Sequence, residues 1–246
     1  MDMGLWAWVL AVIAAISVGL AKGGLSMVGV ISVPVMALAM SPIQAAGMLL
    51  PVYVISDLGG LIAYRRNFDM KVLIRLMPGA IFGIFLGWAT SSQVSDQTVE
   101  LVVGVIGLAF AISALWKRRD QASARQADWA RGTVWGGVAG YTSFVAHAGA
   151  APYQVYAQPL KMSPMTYAGT TTIFFAICNW IKLIPYAMLG QLSADNLKVA
   201  AILTIPALLS VQLGIWLVKR MSPTVFYNLI TWMLLLVSIR LIWAAI

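Results

Sequence analysis

Lys22, Asp57 and Lys182 are charged side chains set inside long apolar runs. In the middle of a membrane helix each costs about 2.5–3.5 kcal/mol on insertion scales, so such residues face a cavity or a partner. Lys22 is followed by Gly23-Gly24, a pair that interrupts a helix. Backbone N–H groups freed at such a break, next to an ammonium, make a site for an oxyanion. The plainer reading is a lysine snorkelling to the interface. A second break holds His147-Ala148-Gly149 ahead of Ala150-Ala151-Pro152. Its histidine suits anion donation or proton transfer near neutral pH, and equally a neutral packing role. Asn179 and Lys182 are three residues apart and so share a helix face. Asp57 reads as a proton or cation site or, more simply, as counter-ion to a lysine such as Lys182. Gly169-Thr170-Thr171-Thr172 offers hydroxyls and close backbone approach, while Gln44, Gln154 and Gln212 suit helix-to-helix hydrogen bonds. No nucleophile stands with a base and an orienting group, and no metal-ligand cluster or phosphate loop is visible, so no enzyme, metal site or cofactor is expected.

The elements that must hold these groups are membrane spans. The chain has 246 residues, 61% hydrophobic and 10% charged, with mean hydropathy +0.88, which excludes an ordinary soluble domain. A net charge of +8 raises the question of nucleic acid, but the Lys and Arg residues lie between apolar runs and not on one soluble face. They suit anionic headgroups, so the lipid bilayer and not nucleic acid is the expected partner. Cys178, the single cysteine, has no partner for an intramolecular disulfide.

Apolar stretches fall at roughly 4–21, 25–40, 42–64, 71–90, 97–116, 132–147, 150–160, 164–189, 197–218 and 223–245. The N-terminal run has no basic region before it and continues into apolar sequence, so it reads as a retained span. The last three stretches of each half are long enough to cross a hydrocarbon core of about 30 Å. The first two of each half are predicted broken or re-entrant, because Gly23-Gly24, Pro34, Gly149, Pro152 and Pro159 interrupt them. Residues 1–116 form the first membrane repeat, 117–131 a polar cytoplasmic linker and 132–246 the second repeat. An offset of about 122 positions lays Ser41-Pro42 on Ser163-Pro164, Asp57 on Asn179 and Tyr64 on Tyr186. Basic residues gather at 65–75, in the linker and at 219–220, and are nearly absent from the loops near 91–96 and 190–196. The positive-inside bias then puts both termini outside the cytoplasm, in a cell's inner (plasma) membrane. Five spans per half make the repeats inverted. The expected fold is an all-α polytopic membrane protein, and this plan recurs in secondary transporters with a substrate site at the repeat interface. Tryptophans near segment ends read as interfacial anchors. Competing classes are a drug- or metabolite-type transporter of the same plan, an intramembrane enzyme and a structural subunit.

Over almost its whole length the chain resembles the sulfite exporter TauE/SafE family. The resemblance is carried by Lys22-Gly23-Gly24 with Val33-Pro34, Ser56-Asp57 leading to Ala63-Tyr64-Arg65, and His147-Ala148-Gly149 with Pro152. Gly169-Thr170-Thr171 and Asn179-Trp180-Ile181-Lys182 leading to Pro185-Tyr186 complete it. It implies a transporter, in the exporting direction, of sulfite, sulfonates or related small anions by alternating access. By position it puts Lys22, Gly23, Gly24, His147, Gly149, Thr170, Thr171, Asn179 and Lys182 near the substrate path, with Asp57 as coupling or counter-ion group. A small anion is the expected substrate partner, and a homodimer is left open. Two departures, Gly47-Met48-Leu49 in place of a Gly-Thr-Ser-type motif and Ala150 after Gly149, speak against two equal binding sites.

Overall fold

A computed structural model describes residues 4–91, 93, 95–116 and 124–246. Lys117, Arg118 and Arg119, which open the expected linker, lie outside the described residues. Among the described residues the regular structure is entirely helical. The first half runs α1 (Leu5–Lys22), a 3-10 stretch (Ser26–Ile31), α2 (Ser32–Met36), α3 (Pro42–Tyr64), α4 (Met70–Thr90) and α5 (Asp96–Trp116). The second runs α6 (Trp129–Val145), α7 (Ala150–Ala157) with a 3-10 turn at Gln158–Leu160, α8 (Pro164–Met188), α9 (Ala194–Arg220) and α10 (Pro223–Ala245).

Local sequence sets these boundaries. Ser41, Ser163, Ser193 and Ser222 each accept a hydrogen bond from the backbone N–H three residues on, and Asp69 and Asp128 cap α4 and α6 in the same way. Such a cap contributes about 1 kcal/mol by satisfying a donor that the helix leaves open. Ser-Pro at three of these starts adds a residue whose fixed φ already fits the first turn.

Among the described residues six helices are long and apolar enough to cross a membrane: α1, α3, α4, α8, α9 and α10. This differs from the sequence expectation at one place. The interruption at Gly23-Gly24 comes after α1, which is continuous, and the broken piece is the 3-10 stretch with the short α2 that follows. Leu5, Phe82, Ile205, Leu209 and Leu236 are among many large apolar side chains left exposed on the outside, as a lipid-facing surface requires.

The helices pack as α4 on α6, α1 on α9, α3 on α8 and α5 on α10, with α3 also on α9 and α4 on α8. Exchanging each first-half helix for its second-half counterpart returns the same scheme. At the centre, Asn179 donates to Asp57 across 2.9 Å and 122 positions, so the two residues that the repeat offset aligns touch each other.

Lipid offers no hydrophobic push between helices, and close backbone approach replaces it. A Cβ built on Gly79 would meet the Thr133 carbonyl, one on Gly83 the Gly137 carbonyl, one on Gly136 the Leu76 carbonyl and one on Gly140 the Ala80 carbonyl. The α1–α9 seam is built likewise, with Gly19 against Ala207 and Gly23 against Gly214. Gly83→Leu is therefore expected to destabilise the protein by about 1–3 kcal/mol or to prevent folding. Thermal unfolding in detergent checks this, with Gly4→Ala, which meets nothing within 4 Å, as a neutral control.

Candidate functional site

Faces of α1, α3, α6 and α8, with the 3-10 stretch and the second chain break, line a cavity of about 40 Å³ whose wall includes Lys22, Tyr53, Ser143, His147, Asn179 and Lys182. At about one water-sized probe per 10–15 Å³, it holds roughly three such groups. From α8 the lining residues are Thr171, Phe175, Asn179 and Lys182, with Thr172 alongside. Their spacing of four, four and three residues is one stripe of a helix. Serine and tyrosine complete the wall through Ser26, Tyr53 and Ser143, none of which the sequence expectation had singled out.

Lys22 ends α1 and places its Nζ 2.6 Å from Asp57 Oδ1 on α3, with both side chains buried. Asn179 holds the other carboxylate oxygen at 2.9 Å. The Tyr53 ring lies 5.1 Å from the same ammonium and stacks on His147 at 5.7 Å. Asp57 thus serves Lys22 and not Lys182, because the end of α1 packs beside the middle of α3. Lys182 reaches from α8 to α6, where its Nζ donates to the Ser143 carbonyl and hydroxyl, each at 3.1 Å. Among the described residues the ion pairs do not include Lys182.

The break after Lys22 is closed, not open. Gly24 adopts φ +114°, Leu25 N–H returns to the Leu20 carbonyl at 3.1 Å and Gly24 N–H to the Ala21 carbonyl at 3.1 Å. That is the helix-ending motif in which a left-handed glycine lets the chain satisfy the last carbonyls. The Gly24 and Leu25 amides are thus spent on the helix. Gly23 and Gly24 lie outside the cavity lining and serve packing instead, with the Tyr64 hydroxyl donating to the Gly23 carbonyl at 2.6 Å. Thr170 is also outside: its hydroxyl donates to the Thr166 carbonyl and accepts the Asp69 N–H at 2.9 Å, fixing the turn into α4. Lys22, His147, Gly149, Thr171, Asn179 and Lys182 are brought together as expected.

His147 closes the second break with φ +51°, a left-handed backbone that histidine adopts more readily than most residues. Its Nε2 lies 2.9 Å from the Tyr186 hydroxyl, which also donates to the Phe144 carbonyl at 3.3 Å. Gly149 and Ala150 then turn the start of α7 toward the cavity, and a Cβ on Gly149 would strike the Ala139 carbonyl. On its other side His147 lines a wider hollow of about 600 Å³ with Tyr186, Gln97, Glu100, Gln191 and Arg240. One imidazole therefore borders both chambers. The first half, despite its apolar Gly47-Met48-Leu49, contributes Lys22, Ser26, Gly29 and Tyr53, so both halves build the cavity.

A membrane-spanning helical bundle closed around a small, cation-bearing cavity that adjoins a larger hollow is built as a solute transporter. The chain belongs to the family described as Sulfite exporter TauE/SafE, whose model matches residues 10–241. That description is of sulfite-exporting membrane proteins. No curated protein and no solved structure matched the chain.

Removing one partner of a buried ion pair strands the other charge, which costs about 3–5 kcal/mol. Asp57→Ala is expected to lower stability by that order, and Lys22→Met combined with Asp57→Ala to restore most of it. Thermal unfolding of the wild type and the two variants in detergent checks the sign and the recovery.

Proposed function

We propose that this chain moves small sulfur oxyanions, sulfite or compact sulfonates, across the membrane through the cavity beside Lys182, in the exporting direction. The observation that carries this reading is a buried lysine on the wall of a small cavity whose hydrogen-bond partners are the neutral oxygens of Ser143. Sulfite or sulfonate oxygens would replace the Ser143 acceptors as charge-assisted partners of Lys182, with the Asn179 amide at hand. Lys22, neutralised by Asp57, holds its end of the cavity in shape.

Alternating access supplies the mechanism. The larger hollow shares His147 with the cavity and is lined by the loops near 91–97 and 189–191, which carry few basic residues. By the charge bias it opens to the outside, with both termini on that side of an inner membrane. The Tyr186–His147 contact closes the cavity toward it, and opening that contact on one side while the other stays shut exchanges access. The two halves act as inverted repeats about the Asp57–Asn179 contact, and an anionic substrate with the bilayer makes up the set of partners.

Purified protein in liposomes is expected to give protein-dependent flux of labelled sulfite. Lys182→Gln is expected to reduce it at least about tenfold, the equivalent of about 1.4 kcal/mol of lost binding. Wild-type-like flux in that variant removes Lys182 from the path, and flux of a neutral metabolite with none of sulfite favours the drug- or metabolite-type reading.

A further inference from the structure

We infer that the cavity beside Lys182 accepts a singly charged oxyanion and rejects a dianion, so that sulfite passes as hydrogensulfite. This rests on the reading of the chain as a sulfur-anion transporter and narrows it to one charge state.

The count of charges at the cavity carries the inference. Two ammonium groups line it, Lys22 from α1 and Lys182 from α8. Against them stands one carboxylate, Asp57 from α3, bound to Lys22 at 2.6 Å and steadied by Asn179. The other groups capable of titrating nearby are His147 at the second break, Tyr53 on α3 and Cys178 and Tyr186 on α8. His147 is engaged by the Tyr186 hydroxyl at one ring nitrogen and stacked on Tyr53, and as a neutral imidazole it adds nothing to the sum. With Lys182 protonated one positive charge is left, on a side chain whose partners are the neutral oxygens of Ser143.

Lys22, Asp57 and Lys182 are almost wholly buried, and buried surroundings penalise any net charge left among them because they screen it poorly. Empty, this site carries one excess positive charge. A monoanion brings it to neutrality, whereas a dianion leaves one excess negative charge in the same enclosure. Size does not make that distinction. A cavity of about 40 Å³ takes only a compact head group, and the oxygens of methanesulfonate and of sulfate are similarly compact. A long sulfonate tail would have to lie in the adjoining hollow of about 600 Å³.

The test is competition against labelled sulfite flux in proteoliposomes, at one fixed near-neutral pH, by methanesulfonate, always a monoanion, and by sulfate, a dianion. Methanesulfonate is expected to inhibit at a concentration at least about tenfold below that of sulfate. Asp57→Asn raises the net charge of the site by one, and sulfate is then expected to gain about tenfold in potency relative to methanesulfonate. Equal inhibition by the two anions in the wild type, or inhibition by neither, overturns the inference while sulfite flux keeps the transport reading intact. Absence of protein-dependent sulfite flux instead removes that reading and this inference with it. A folded Asp57→Asn protein with unchanged preference also overturns it, and if that variant does not fold the wild-type comparison decides.

Discussion

A charge in hydrocarbon must be matched or enclosed, and the placement of Lys22 and Asp57 meets that condition at the centre of the bundle. The 2.6 Å contact ties the end of α1 to the middle of α3, and the Asn179 bond to the same carboxylate ties α3 to α8. Three helices from both halves are thereby joined at one point. Tyr53 closes over the ammonium and His147 over Tyr53, so the second chain break is stacked on the first through aromatic faces. With that cluster in place, the polar wall around Lys182 needs only Ser143 from α6 to be complete.

Backbone satisfaction explains the shape of the breaks. A helix that stops inside a membrane protein must give its last carbonyls a partner, because lipid supplies none. At the first break Gly24 in a left-handed conformation does so with Leu25 N–H, and at the second His147 takes a similar conformation while Ala148 N–H returns to the Thr142 carbonyl at 3.1 Å. Tyr64 and Tyr186, matched by the repeat offset, each bond a carbonyl at one break, Gly23 and Phe144 respectively. The same device thus occurs in both halves, with a glycine at one turn and a potentially ionisable ring at the other.

Much of this was legible in the sequence. Long apolar runs gave the spans, and Lys22, Asp57 and Lys182 stood out because an ion in such a run demands a reason. What was not legible has physical causes. Gly23-Gly24 encodes a helix end equally well whether its amides stay free or fold back onto the helix, and only the closed form is present. Thr170, Thr171 and Thr172 are adjacent in sequence but about 100° apart on the helix, so the first turns to Asp69 while the other two reach the cavity. Extending the Asn179–Lys182 face backwards by four and eight residues would have found Phe175 and Thr171. Tyr53 and Ser143 carry no such signal, since tyrosine and serine in apolar helices usually serve packing. Which lysine Asp57 would meet depended on the packing of α1 against α3, a contact between elements that periodicity does not encode.

The glycine seams bear on how such a body can change shape. Where Gly83 meets the Gly137 carbonyl and Gly136 the Leu76 carbonyl, α4 and α6 lie against each other with no side chain between them, and sliding one along the other drives backbone into backbone. The seam between α1 and α9 has the same character. Each couple therefore travels as a single strut, one helix from either half. The α5–α10 pair is close-packed as well, with Gly104 against the Ser238 carbonyl, so displacement is left to joints such as the crossing of α3 with α8, where the Asp57 and Asn179 side chains lie between the helices.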